Sequence, residues 1–196
     1  MLPIRKRDKS NIGRWNRWYW KHKLRSYLPF LKKEVPLYGD STTYRLAAEF
    51  LNDVSEVEDW GCGLGGFRRF CKTTYIGLDG SWAPNCDRIV DLVQYRSSAD
   101  GILLRHVLEH NYEWRAILQN AVESFRSKMC VVIFTPFSHV TRDIHWWPEL
   151  QVPDISFERE ELVSYFAGLC VRSEEELPTR SQYNVEHMFF LERVTK

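Results

Sequence analysis

The chain has 196 residues, near the commonest size for one domain, and 44% of them are hydrophobic, enough to build a core without disulfides or structural metals. Its net charge of +1 conceals an asymmetry: residues 1–33 hold eleven Lys and Arg against a single acid, Asp8, which is +10 locally and leaves −9 for the rest. No apolar run approaches the roughly 18 to 20 residues of a membrane span, and no apolar stretch follows the basic start, so the expectation is a soluble, cytoplasmic protein.

Residues 1–40 read as a distinct basic, aromatic-rich segment in which Trp15, Trp18, Tyr19 and Trp20 are interleaved with the cations. Such a mixture pairs with phosphates and stacks on flat or sugar-like faces, which suits an anionic partner such as nucleic acid, a lipid headgroup or an acidic substrate. The aromatics also have helical spacing, so an amphipathic helix docked on the acidic body is an equal reading.

Pro36 and Gly39 punctuate a linker, and Asp40 or Ser41 caps a helix through Tyr44, Leu46, Ala47, Phe50 and Leu51, opening a second domain over residues 41–196. Strand-like runs follow at 56–60, 74–79, 88–91, 100–105, 129–135, 170–175 and 186–194. The spacing of Trp114, Ile117, Leu118, Ala121, Val122 and Phe125 predicts a helix over 111–126, and a further helix is expected over 158–166 with Ser156 as its cap. This alternation implies an α/β fold with a mainly parallel sheet covered on both faces and a ligand site at the carboxyl ends of the strands. Segments 80–87 and 92–98 are too short for full crossover helices. The five cysteines are odd in number and form no C-x-x-C pair, which fits a reducing compartment.

The chemistry starts at the run from Val57 to Phe67, a strand ending in Asp59, then a glycine turn, then an apolar helix start. Glycines bring a ligand against the main chain, but Gly61-x-Gly63-x-x-Gly66 also satisfies the dinucleotide fingerprint. The acid discriminates: Asp59 would repel a pyrophosphate, whereas it would attract the ammonium of a methionine moiety. A second strand ends in Asp79, able to accept from both ribose hydroxyls, with Gly80 and Ser81 after it. The fourth runs into Arg105-His106-Val107-Leu108-Glu109-His110.

Together these segments resemble the small class I S-adenosylmethionine-dependent methyltransferases, whose motifs read D-x-G-C-G-x-G, G-x-D-x-S and H-V-L-E-H in this order. The similarity covers roughly residues 54–136, including Val132-Ile133-Phe134-Thr135-Pro136 as the fifth strand. It implies a Rossmann-like class I methyltransferase fold: a mainly parallel seven-stranded sheet with an antiparallel last strand and reduced crossover helices. It further implies S-adenosyl-L-methionine as cofactor, with Asp59, Gly61, Cys62, Gly63 and Gly65 at its methionine end and Asp79 and Gly80 at the ribose. Asp91 and Leu92 would lie at the adenine edge, and Arg105 with His106 beside the transferable methyl.

Cys62 reads as a small packing residue and Trp60 as core, while Glu109 and His110 read as the polarised start of the helix after the fourth strand. The stretch Phe137 to Pro148, with His139, Arg142, His145, Trp146 and Trp147, reads as a loop forming the acceptor pocket or its lid. No standard ligand spacing supports a metal at His139, His145 and Asp143. The expected reaction moves a methyl group to an O or N nucleophile of a small-molecule, saccharide or lipid acceptor. A hydroxyl acceptor would require a base, for which His106, His145 and His139 are the candidates. The alternative is an RNA methyltransferase using the basic segment, although the fourth strand lacks an N-P-P-Y-type tetrad and no Pro-Cys pair offers a cytosine-attacking thiolate. A nicotinamide oxidoreductase is disfavoured by Asp59, and the sequence carries no signal of oligomeric state.

Overall fold

The computed structural model describes residues 37–39, 41–81, 85–148 and 150–194. The basic segment of residues 1–33, and with it the anionic-partner expectation, lies outside them. Among the described residues, no helix is long and apolar enough to cross a membrane.

The chain opens with helix α1 (Thr42–Phe50) and then lays down β1 (Glu56–Trp60), β2 (Thr74–Asp79), β3 (Arg88–Ile89) and β4 (Ala99–Arg105). Helix α2 (Trp114–Ser124) leads straight into β5 (Phe125–Ile133). A hairpin, β6 (Arg142–Trp147) and β7 (Val152–Ser156), precedes helix α3 (Arg159–Ser164), and β8 (Cys170–Leu177) and β9 (Glu186–Glu192) close the chain. Seven strands form one sheet in the order β3-β2-β1-β4-β5-β9-β8. The pairs β1 with β2, β1 with β4, β2 with β3 and β4 with β5 are parallel, and β9 runs antiparallel to both its neighbours. This is the mainly parallel, antiparallel-ended sheet expected.

Strand residues alternate between two buried faces, as a period of two requires. On β4, Ile102 and Leu104 face the cluster built on α2 and α3 with Trp114, Ile117, Leu118 and Leu162, while Leu103 faces the cluster built on α1 with Tyr44, Ala47 and Leu51. On β9, Phe189 and Leu191 take the first face and Met188 and Phe190 the second. Each such side chain taken fully out of water contributes about 1.5 to 3 kcal/mol.

The shortened crossovers hold as expected: among the described residues, no helix connects β2 to β3 or β3 to β4. Polar side chains fasten the second of these loops instead. Buried Glu58 of β1 accepts from the Tyr95 hydroxyl (3.0 Å) and the Ser97 hydroxyl (2.7 Å), and Asn120 of α2 donates to the Leu92 and Val93 carbonyls at 3.0 and 2.9 Å.

Several boundaries differ from the sequence expectation. The helix expected at the glycine turn is a 3-10 turn, Gly66–Arg69, because β2 begins at Thr74 and leaves no room for more. Helix α2 starts at Trp114, not 111, since Asn111 is extended and turns its side chain back to the Val107 carbonyl. Ser156 ends β7 rather than capping α3; its hydroxyl donates to the Pro136 carbonyl at 2.6 Å, and Glu158 takes the cap position. Half of the expected loop over Phe137 to Pro148 is strand β6, Arg142–Trp147.

Candidate active site

The carboxyl ends of β1, β2 and β4 open into one cavity of about 650 Å³. Its first part is the glycine turn, lashed to the end of β2. The amides of Gly61 and Cys62 both donate to the Leu78 carbonyl, at 2.7 and 2.9 Å, and the Gly63 amide donates to Asp79 Oδ2 at 2.9 Å. Gly61 has φ +76°, and a Cβ there would lie 2.3 Å from Val107 Cγ2, so only glycine fits. Gly65 is needed for a different reason. It does not line the cavity; at φ +75° it packs against Asn85, where a Cβ would come within 2.5 Å.

Asp59, near the end of β1, and Asp79, at the end of β2, both line the cavity beside this turn. Asp59 is 4% exposed and accepts from the Tyr75 hydroxyl at 2.9 Å; burial pushes its carboxyl up to about 7, against the pull of Tyr75 and Arg105. Asp79 accepts from the Gly63 amide on one oxygen and from the Ser81 amide and hydroxyl, at 3.0 and 2.9 Å, on the other. Burial raises its carboxyl too, with those donors pulling it back. Asp91 and Leu92 line the same part of the cavity, where Asp91 fixes its turn by accepting from the Val93 amide at 3.1 Å. Cys62 and Gly80 line it as well.

Arg105 touches the cavity but spends its guanidinium on the scaffold. Nε donates to Thr43 Oγ1 (3.1 Å), one terminal nitrogen to the Tyr44 hydroxyl (2.9 Å), and the other to the Tyr38 carbonyl (2.9 Å) and Glu186 Oε1 (2.7 Å). It also lies 4.0 Å from the Tyr44 ring centroid. Arg105 therefore pins α1 and the chain before it to β4 and β9, a role its motif position did not signal. His106, at φ +55°, turns its Nε2 onto the same Glu186. Burial and the neighbouring Arg105 pull the His106 ring down to about 4. Burial would raise Glu186, but His106 and Arg105 beside it hold its carboxyl below the usual range.

The other end of the cavity is lined by Phe134, His110, Trp147, Leu150 and Val152 together with Ser181 and Gln182 from the loop before β9. His110 is not simply a polar helix start. Its Nδ1 faces the Pro153 carbonyl at 3.0 Å and Asp154 Oδ1 at 3.2 Å, while Asp154 Oδ2 accepts from the Trp147 indole (3.0 Å) and the Tyr183 hydroxyl (2.8 Å). The ring of Phe134 lies between those of His106, His110 and Tyr183, with centroids 4.8, 5.3 and 5.9 Å away. Glu109, also read as a helix start, is fully buried and accepts from the Phe134 amide at 2.6 Å, with burial raising its carboxyl to about 7.

The remaining histidine candidates are not brought into the cavity. His139 lies in a separate shallow pocket with Phe137, Arg142 and Glu158. His145 is exposed on β6, its ring edge against Trp147 at 4.6 Å, outside the rim that Trp147 forms. Asp154 and Tyr183 were not visible to sequence reasoning, since neither belongs to a motif.

No family model matches the chain, and no curated protein sequence matches it. Solved structures do. The chain is similar to 1,6-didemethyltoxoflavin-N1-methyltransferase of Burkholderia thailandensis, bound to 1,6-didemethyltoxoflavin and S-adenosylhomocysteine, at 13% identity over 99% of this chain and 94% of that one, with a TM-score of 0.70. It is similar to magnesium protoporphyrin IX methyltransferase of Synechocystis PCC 6803, bound to S-adenosylmethionine, at 13% identity, covering 98% and 100% of the two chains, with a TM-score of 0.64. The N-methyltransferase NodS of Bradyrhizobium japonicum WM9 aligns at 14% identity over 79% and 85%, with a TM-score of 0.55. The chain thus has the Rossmann-like fold of these methyltransferases.

Proposed function

We propose that the chain transfers a methyl group from S-adenosylmethionine to an O or N nucleophile of a small-molecule acceptor. The observation that carries this reading is the placing of Asp59 and Asp79 beside one close-packed glycine turn, in a cavity that they line together with His106 and an aromatic end. The residues present fit that ligand. Asp79 uses one lone pair of Oδ2 on Gly63, and a carboxylate oxygen has a second to offer a ribose hydroxyl. Asp59 matches an ammonium and would oppose a pyrophosphate. The loop of Leu92 and Val93, held by Asn120, offers an apolar flank for a base. The three similar structures named above carry S-adenosylmethionine or S-adenosylhomocysteine, which supports the same reading.

When bound, the cofactor supplies an electrophilic methyl on a sulfonium. The protein's share is alignment and exclusion of water, since the displacement is in line and needs no covalent residue. Calorimetric titration with S-adenosylhomocysteine tests the reading: binding is expected for the wild type, at least tenfold weaker for Asp79→Ala, and absent for NADH. Binding of NADH in its place would overturn it.

A further inference from the structure

We infer that His110, oriented by Asp154, is the base that takes a proton from the acceptor, and that the acceptor reacts through a hydroxyl on a planar ring. The inference rests on the methyl-transfer reading and narrows its acceptor class.

The first ground is the tautomer. His110 Nδ1 is hydrogen-bonded to the Pro153 carbonyl at 3.0 Å and has the charge of Asp154 Oδ1 beside it at 3.2 Å. A carbonyl can only accept, and so can a carboxylate, so Nδ1 carries the ring proton and the lone pair is on Nε2. Nδ1 faces β7, while the ring itself lines the cavity and keeps 31% of its side-chain surface exposed. The base is thus presented to the acceptor and not to the scaffold.

The second ground is Asp154. It is fully buried, accepts from Trp147 and Tyr183 on Oδ2, and holds Oδ1 3.2 Å from His110 Nδ1, so it gathers groups from β6, the loop before β9 and the turn before α2. A buried carboxylate is an expensive way to join three segments when apolar packing would serve. It is well suited to stabilising an imidazolium formed next to it. The groups facing His110 are Asp154, Glu109 on its own turn, the Pro153 carbonyl and His106 beyond Phe134. Burial lowers the His110 ring, but Asp154, Glu109 and Pro153 outweigh it and the net shift is upward.

The third ground is the contrast with His106. Its Nε2 is turned onto Glu186, already paired with Arg105, and its ring is held near 4, too weak to serve as a base. Of the two histidines that line the cavity, His110 is the one built for proton removal. An amine attacking in its neutral form needs no such group, whereas a phenol, ionising near about 10, does. Flat walls from Phe134 and Trp147 favour a planar ring.

In the step, the hydroxyl proton passes to His110 Nε2 and the acceptor oxygen forms a bond to the methyl carbon. The carbon–sulfur bond breaks with its electron pair left on sulfur, giving a methyl ether, a neutral thioether and an imidazolium paired with Asp154.

The test combines S-adenosylhomocysteine calorimetry with transfer of labelled methyl from S-adenosylmethionine across a panel of phenols and catechols and matched anilines. Expected are label on phenols, a fall in kcat of about 10²-fold or more for His110→Asn, and cofactor affinity in that variant within about threefold of wild type. The pH profile of kcat/KM should rise through the His110 pKa, and Asp154→Asn should move that limb to lower pH. Proton NMR should show the same downward move of the His110 resonance without any turnover. Label on anilines alone, no label on any phenol while the cofactor binds, or a pH limb unmoved by Asp154→Asn would overturn the inference. Failure of S-adenosylhomocysteine to bind would instead sink the methyl-transfer reading beneath it.

Discussion

A carboxyl held protonated by burial must give up that proton before it can pair with a cation, and Asp59 is such a group. Its pKa lies at about 7 in the folded chain, so near pH 6 most molecules hold the proton. An ammonium placed beside it favours the ionised form and drives the proton out. Binding of S-adenosylhomocysteine near pH 6 should therefore release close to one proton, and affinity should rise with pH up to about 7 and flatten above it. Calorimetry in buffers of different ionisation enthalpy measures this directly, and Asp59→Asn should remove the buffer dependence. Asp59 and Asp79 were legible in the sequence because strand-end acids beside glycines are local patterns. The pairing of His110 with Asp154 was not, because it joins separate elements and leaves no spacing rule to read. The scaffold role of Arg105 was missed for a related reason: its motif position says where the backbone is, while its partners Thr43 and Glu186 come from distant parts of the chain.

At the scale of elements, the guanidinium of Arg105 holds α1, β4 and β9 together against the buried carboxylate of Glu186. Removing one member of such a pair strands the other. Arg105→Met should cost about 3 to 5 kcal/mol in urea unfolding, and adding Glu186→Leu should recover most of that loss. A double variant no more stable than the single one would show that the pair itself is not what joins the elements. The strands β1 and β2 were predicted to the residue because both are bounded by turn signals and packed on both sides. The hairpin was missed for two physical reasons. The residues of β6 are exposed or half-exposed throughout, so no apolar alternation marks the strand. Pro153 sits within β7, where a proline argues against a central strand, yet a two-stranded ribbon has an open edge that tolerates it.

Over the whole molecule, the parallel order was legible from the alternation of strands and helices, and the missing crossover helices from segment lengths. What replaces those helices, the Glu58 and Asn120 hydrogen bonds, could not be read, since both partners are polar and distant. A ligand bound by the folded chain alone stabilises it by mass action. S-adenosylhomocysteine at a hundred times its Kd should add about 2.7 kcal/mol and raise Tm by roughly 5 to 10 °C, read by scanning calorimetry. An unchanged Tm at that concentration would contradict binding to the native state.

The strand order has one more consequence, for how copies of the chain meet. The sheet ends in β3, a pair of exposed residues, on one side and in β8 on the other. A strand of only Arg88 and Ile89 offers too little backbone for another chain to pair with. Strand β8 is long enough, but it carries Arg172 and the run Glu174-Glu175-Glu176, and charged side chains along an edge disfavour the addition of another strand. One border is closed by brevity and the other guarded by charge, so this sheet resists growing into a larger one by strand addition between copies.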